Sequence, residues 1–270
     1  MIAPAAAPAL LRLSDTAAIL ALAAVGAALI LPDPYAAVPD HLRPGAWSQD
    51  TISAPAALAL LAVNARLRPP IKRAWGKGWL LWAGLVGYLF YAYALYSFDA
   101  VLNPAYPLYL GIMALALLAL VLFLRAVDPA RLRATISPPP RRAVALLFAL
   151  LVVLFTGLWL AQLLPAMAAR QPLPGQTIYV LDLAIALPLT GLTAWLLWRG
   201  HPVGDLLAIP MLMKVAVLGV SVFLGTFYGW AFFGGPFMGF DLALYALRGF
   251  GPALLIWPVW RGLEVTGAGP

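Results

Sequence analysis

The sequence has no cysteine, two histidines and one glutamate, and only 10% of its 270 residues are charged. The lack of cysteine excludes disulfides, iron–sulfur clusters, thiolate metal sites and cysteine nucleophiles. An ordinary soluble domain has about 25% charged residues, so this chain cannot cover itself with a water-compatible surface. A soluble enzyme, a disordered regulator and a secreted disulfide scaffold are therefore excluded.

Apolar residues are in large excess, because 64% of the chain is hydrophobic and its mean hydropathy is +0.92. A transmembrane helix needs about 20 mainly apolar residues to cross the bilayer. The sequence predicts an all-α polytopic transmembrane helix bundle of about eight spans, a single integral membrane domain over residues 1–270 with the lipid bilayer around it. The predicted spans cover residues 15–31, 50–67, 78–97, 105–124, 143–164, 177–198, 205–225 and 241–260.

The first span has a second interpretation as a signal segment. The Pro/Ala-rich stretch before it lacks the basic cluster that is typical of a signal peptide. We therefore expect this span to be part of the membrane domain.

The net charge of +7 comes from basic residues in short runs between the apolar spans. Thirteen of the 17 lie before the first span or in the loops after the even-numbered spans, and two lie in the opposite loops. The positive-inside rule then predicts that both termini are cytoplasmic, and this placement argues against nucleic acid as a partner. The thirteen basic residues are Arg12, Arg66, Arg68, Lys72, Arg73, Lys77, Arg125, Arg131, Arg133, Arg141, Arg142, Arg199 and Arg261.

The abundance of Ala, Leu, Pro and Arg over Lys is typical of a bacterium, so we expect a multi-pass protein of a bacterial plasma membrane.

Three ionisable residues fall within predicted spans, where a charge is expensive and usually functional. Asp182 is five residues into the sixth span and Arg248 seven residues into the eighth, so they lie about 8 and 10 Å below the same, outer surface. Lys214 lies near the midplane in the seventh span. We expect Arg248 to be the partner of Asp182, and the three residues either to line a polar ligand site or to form a structural ion pair.

Asp50, which opens the second span at the outer mouth, is a further candidate ligand-binding residue. The third span is rich in tyrosine, and Tyr91 and Tyr96 are expected to line the same pocket. A buried phenol needs a hydrogen-bond partner. The tyrosines therefore predict a hydroxyl-lined pocket or a site for a quinone or aromatic ligand, with packing and local hydrogen bonds as the alternative.

The sequence lacks the motifs of several membrane-associated enzymes. It has no Walker A sequence, no dinucleotide-type glycine motif and no HExxH helix. The histidines, His41 and His201, fall in loops on opposite sides, so they cannot share a haem or metal site. No cofactor and no metal are expected, and a non-enzymatic function is favoured.

Several motifs resemble a family of uncharacterised bacterial polytopic membrane proteins with about eight spans. They are the Gln49–Asp50 pair, the tyrosine-rich third span that ends near Asn103, the Leu-Asp-Leu around Asp182 and the lysine at position 214. Members of that family often have Tyr-Asn-Tyr-Ala where this chain has Tyr-Ala-Tyr-Ala at positions 91–94. The resemblance implies an eight-span bundle and supplies no activity.

Three functions follow as hypotheses. The first is small-solute or ion transport or ligand sensing at a polar site in the outer half of the bundle, with Asp50 and Asp182 binding or gating a cation or proton. The second is a non-catalytic subunit or assembly factor that meets a membrane-protein partner through the apolar fourth and fifth helices. The third is an intramembrane enzyme acting on lipid or quinone substrates, for which the sequence offers no convincing nucleophile and base.

Overall fold

The computed structural model describes residues 6–68, 77–99, 101–127 and 132–267, and these ranges are helical apart from connecting loops and one pair of short strands. Lys72, Arg73 and Arg131, which contribute to the charge asymmetry, lie outside the described residues. The helices are α1 (Ala7–Ile30), α2 (Arg43–Leu67), α3 (Gly78–Phe98), α4 (Tyr106–Ala126), α5 (Pro138–Ala169), α6 (Gln176–Leu181), α7 (Leu187–Trp198), α8 (Pro202–Phe232) and α9 (Gly239–Gly262).

The predicted spans correspond one to one with helical rods, and the sixth rod consists of α6 and α7 joined by a π-helical turn, Asp182–Ala186. Within the described ranges, seven rods are long and apolar enough to cross a membrane, which confirms an all-helical polytopic architecture. The rod that does not meet this criterion of length and apolarity is α2. Its buried residues include Gln49, Asp50 and Asn64, so its polarity is turned towards the neighbouring helices.

One strand pair was not predicted. Strand β1 (Leu132–Ile136) follows α4 and pairs antiparallel with β2 (Leu263–Gly267), with Ile136 opposite Leu263. Each strand has five residues. Because the two strands are far apart in the chain, no hairpin pattern in the sequence predicts them. They lie at the end of the bundle where α2 ends and α3 begins, which is called the basic end below because Arg68, Lys77 and Arg141 lie there.

The apolar core consists of two clusters, one built mainly by α1 to α4 and the other mainly by α5, α7, α8 and α9. The two halves meet where α8 packs against α2 and α3. The contact with α3 is close at Gly84, where an added Cβ would lie 2.6 Å from Cβ of Met213. Helix α3 is the central helix, since 72% of its most apolar stretch is buried, whereas only 28% of that of α9 is buried. The eighth span is therefore peripheral, although it carries the buried Arg248.

The outward faces of α4 and α5 are apolar, as predicted for helices without a polar stripe. These faces suit acyl chains and a protein partner equally, so a membrane-protein partner at α4 and α5 stays a prediction. The exposed residues include Leu110, Leu117, Leu118, Val121 and Leu124 of α4, and Leu146, Leu150, Val153, Leu160 and Leu164 of α5.

Helices α8 and α9 are in backbone contact through two glycines. A Cβ at Gly219 would lie 2.5 Å from the carbonyl carbon of Arg248, and a Cβ at Gly249 would lie 2.6 Å from the backbone nitrogen of Val220. Small residues allow membrane helices to approach in this way. The contact fixes the backbone of Arg248 against α8.

Gly219→Ala is expected to destabilise the protein by about 1–3 kcal/mol, because the new methyl group forces the two backbones apart. The free energy of unfolding of the purified protein in detergent measures this effect. Gly157→Ala is the matched control, since nothing lies within 4 Å of a Cβ there, and alanine favours a helix over glycine by about 1 kcal/mol. Equal stabilities of the two variants would contradict the close contact.

Candidate functional site

Asp182 occupies the first position of the π-helical turn and is fully buried. The turn precedes Pro188, which lies in the first turn of α7 and lacks an N–H, so it cannot donate a backbone hydrogen bond to the preceding turn. Its closing hydrogen bond runs from the backbone N–H of Leu187 to the carbonyl oxygen of Asp182. Single π-helical turns inside α-helices occur frequently at functional sites.

The Asp182 carboxylate accepts hydrogen bonds from three other helices. Tyr91 of α3 donates its hydroxyl to Oδ1 over 2.6 Å, and Trp159 of α5 donates Nε1–H to Oδ2 over 2.9 Å. Nη2 of Arg248 lies 3.2 Å from Oδ1 and 2.9 Å from Oδ2. These partners satisfy both oxygens in a region that water does not reach, and charge-assisted bonds of this kind are the strong ones.

Two cations face this single carboxylate. Nζ of Lys214 lies 4.0 Å from the centroid of the Tyr91 ring, and the guanidinium carbon of Arg248 lies 4.3 Å from that of Phe155. Cation–π contacts of this kind stabilise a desolvated cation by about 2 kcal/mol. We call Tyr91, Trp159, Asp182, Lys214 and Arg248 the Asp182 cluster.

A small recess of about 10 Å³ adjoins the cluster between α5, α7, α8 and α9. This volume holds about one water-sized group. Lys214, Arg248 and Thr190 contribute its polar lining. A larger hollow of about 230 Å³ lies at the turn between α5 and α6, but none of the cluster residues lines it, and Arg170 is its only charged group.

A second buried carboxylate, Asp50 of α2, is held by tyrosines. Tyr35, in the loop between α1 and α2, donates its hydroxyl to Oδ2, and Tyr96 of α3 donates to Oδ1 over 3.1 Å and to the carbonyl oxygen of Ala46 over 2.8 Å. Burial, and next the Asp50 charge, raise the pKa of Tyr35 well above the ordinary value of a phenol. Tyr35 therefore stays protonated and remains a donor.

A third polar group ties α2, α3 and α8 together. Nε2 of Gln49 donates to the hydroxyl of Tyr88 over 3.2 Å, and Ser221 donates its hydroxyl to Oε1 of Gln49 over 3.0 Å. The hydroxyls of Ser53 and Tyr88 lie 3.0 Å apart. Tyr88 thus has the hydrogen-bond partners that a deeply buried phenol requires.

The six residues that the sequence singled out fall into two groups. Asp182, Tyr91, Lys214 and Arg248 converge in the Asp182 cluster, and Arg248 is the ion-pair partner of Asp182, as its depth had suggested. Asp50 and Tyr96 instead form a separate pair with Tyr35.

Two site residues escaped the sequence analysis. Trp159 lies in the fifth span, which is mostly apolar. Tyr35 lies in a loop outside every predicted span. For Trp159 a signal existed, because an indole N–H away from the span ends needs an acceptor. Nothing in the pattern around Tyr35 pointed to Asp50.

Two further carboxylates, the buried Asp205 and the partly exposed Asp15, lie at the basic end and hold helices together. Asp205 of α8 accepts Nε of Arg141 over 2.8 Å and Nη2 of Arg141 over 2.6 Å, together with the backbone N–H of Ile136 over 3.2 Å. Asp15 of α1 pairs with Arg68 at the end of α2. Each of these two ion pairs joins helices that are far apart in the sequence.

Neither a protein-family model nor a curated protein nor a solved structure matches this chain. The resemblance to a bacterial family therefore stays a prediction, and the architecture of a polytopic helical membrane protein is what is established. Among the described residues, no group of three His, Cys, Asp or Glu side chains is placed to hold a metal ion.

Proposed function

We propose that the protein is a non-enzymatic integral membrane protein that transports, or responds to, a small ion or polar solute through the Asp182 cluster. The observation that carries this proposal is the convergence of Asp182, Lys214 and Arg248, from three different rods, on one buried position. Each charge at hydrocarbon depth costs several kcal/mol, and such residues mark substrate and ion pathways.

The proposal includes a location and an orientation. The protein lies in a bacterial plasma membrane with both termini in the cytoplasm, because most basic residues lie on one side of the predicted spans. The Asp182 cluster then lies in the outer half of the bundle. Asp50, with Tyr35 and Tyr96, lies nearer the outer mouth and controls access.

The conformation described here is a closed one. Both oxygens of Asp182 are hydrogen-bonded, and the adjoining recess holds about one water-sized group. A ligand reaches the carboxylate only when Arg248 or Tyr91 moves away. Arg248 belongs to the peripheral helix α9, so a shift of α9 along its glycine contact with α8 would separate the pair.

Ion flux into liposomes tests the function. Purified protein is reconstituted, and transport of protons, Na⁺, K⁺ and halides is measured in parallel with ligand-dependent shifts of the melting temperature in detergent. The wild-type protein is expected to move, or to be stabilised by, at least one of these ions, and Asp182→Asn is expected to abolish the ion flux.

Asp99→Asn is the matched control, because Asp99 is an exposed carboxylate that accepts a 2.5 Å hydrogen bond from the hydroxyl of Thr177 outside the cluster. Tyr91→Phe provides a milder change if Asp182→Asn does not fold, since it removes one donor and keeps the ion pair. A folded Asp182→Asn protein with the wild-type response would remove this residue from the site. A wild-type protein with neither flux nor stabilisation would overturn the function.

A further inference from the structure

We infer that the recess beside Lys214 and Arg248 binds one small monovalent anion of about halide size. This inference rests on the proposed function, because it names a ligand class for the same site. It also differs from the expectation of a cation at Asp182, since that carboxylate already has a guanidinium, a phenol and an indole as donors.

The first argument is the charge balance of the cluster. Lys214 and Arg248 contribute two positive charges. Asp182 pairs directly with Arg248, and Lys214 lies over the ring of Tyr91, whose hydroxyl donates to Asp182. Asp241, the nearest carboxylate along α9, lies seven residues before Arg248, about 10 Å away along the helix axis. One positive charge is therefore in surplus at hydrocarbon depth, where an uncompensated charge is strongly disfavoured.

The second argument is the number of unused donors. Among the described residues, Nζ of Lys214 donates no hydrogen bond, and Arg248 donates only through Nη2. Both side chains line the recess. Nζ of Lys214 and the remaining guanidinium N–H groups are therefore available to donate to an acceptor in the recess.

The third argument is the size and lining of the recess. Its volume of about 10 Å³ is at the lower limit for one water-sized group, so it leaves no room for a polyatomic anion. The hydroxyl of Thr190 donates to the carbonyl oxygen of Ala186 over 2.6 Å, so the free donors of the recess are cationic. The remaining walls are mainly apolar, which favours a weakly hydrated anion over a multiply charged one. They include Leu151, Phe155 and Val215.

Halide binding to the full-length protein in detergent tests the inference. Fluoride, chloride and bromide are titrated against gluconate at constant ionic strength, and the melting temperature and tryptophan fluorescence are followed. Trp159 is one of ten tryptophans, and its indole contacts Asp182, so part of the fluorescence change is expected to come from the cluster. A saturable, halide-specific response is expected in the wild-type protein.

Lys214→Met is expected to weaken halide binding about tenfold or more, the loss that one hydrogen bond to a charged group produces. Lys77→Met is the matched control. Lys77 also lies over an aromatic ring, that of Trp260, but at the basic end and with the carbonyl oxygen of Trp260 as its acceptor. Lys214→Arg keeps the charge and is expected to retain binding. Asp182→Asn removes a negative charge and is expected to keep or strengthen binding, although the same change abolishes transport under the proposed function.

The outcomes separate the two proposals. If halides act equally on the wild-type and Lys214→Met proteins, or act no differently from gluconate, the anion site is refuted. If the anion site is refuted in this way while liposomes still show a cation or proton flux that depends on Asp182, the proposed function stands without the anion. If halides bind through Lys214 but no ion moves and Asp182→Asn changes nothing else, the anion site stands, whereas transport through Asp182 is refuted.

Discussion

Arg248→Met is expected to destabilise the protein by about 3–5 kcal/mol, the cost of leaving one member of a buried ion pair unpaired. The side chains of Arg248 and Asp182 are 7% and 0% exposed, so water cannot replace the guanidinium. Tyr91 and Trp159 still donate to the carboxylate in the variant, and Lys214 supplies part of the missing positive charge. The loss is therefore expected near the lower end of this range, as measured by the free energy of unfolding in detergent.

The double variant Asp182→Asn with Arg248→Met is the control for this effect. It removes both charges and leaves an amide that can still accept from Trp159, so most of the lost stability is expected to return. Replacing both members of a buried pair is often neutral, whereas breaking it is costly. A single-variant cost below about 1 kcal/mol, the value of an exposed ion pair, would show that the pair is not buried.

Arg141→Met is expected to cost about 2–4 kcal/mol, because among the described residues it leaves the buried Asp205 carboxylate with only the backbone N–H of Ile136 as a donor. The Asp205 side chain is 2% exposed, and that of Arg141 is 18% exposed. Water can partly replace the arginine, so the expected loss is smaller than for a fully enclosed pair. Thermal and chemical unfolding in detergent measure it.

Arg142→Met is the matched control, since Arg142 is exposed and adjacent in sequence to Arg141. Its stability is expected to stay within about 0.5 kcal/mol of the wild-type value. Arg141→Lys tests the geometry, because lysine keeps the charge and loses the two parallel N–H···O bonds. A loss for Arg142→Met as large as that for Arg141→Met would refute the assignment.

Hydropathy alone was sufficient to predict the helical rods, because the bilayer requires each crossing segment to satisfy its own backbone hydrogen bonds. Hydropathy was less informative about where each helix ends. The seventh span was predicted to stop near Gly225, since the following aromatic and glycine-rich stretch looked like a loop, but α8 continues to Phe232. Gly225 instead serves a close contact, because a Cβ there would lie 3.1 Å from Cα of Gly45.

The depth of each residue below the outer surface was sufficient to pair Asp182 with Arg248. That depth follows from the fixed rise per residue of a helix, and a buried charge needs a partner. The depth gives no angle around the helix axis. It therefore could not separate Asp50 and Tyr96 from the Asp182 cluster, nor place Lys214 on the ring of Tyr91. The π-helical turn adds an offset that periodicity does not show, and Trp159 lies in a span whose other residues are mostly apolar.

An experimental density map of the protein in a lipid nanodisc tests the convergence of the buried charges most directly. The expected map has Arg248 hydrogen-bonded to Asp182, with Tyr91 and Trp159 completing the carboxylate's shell and Lys214 over the Tyr91 ring. A map in which Arg248 and Lys214 point at acyl chains, with Arg248 beyond the hydrogen-bond limit of about 3.5 Å from Asp182, would contradict the proposed site.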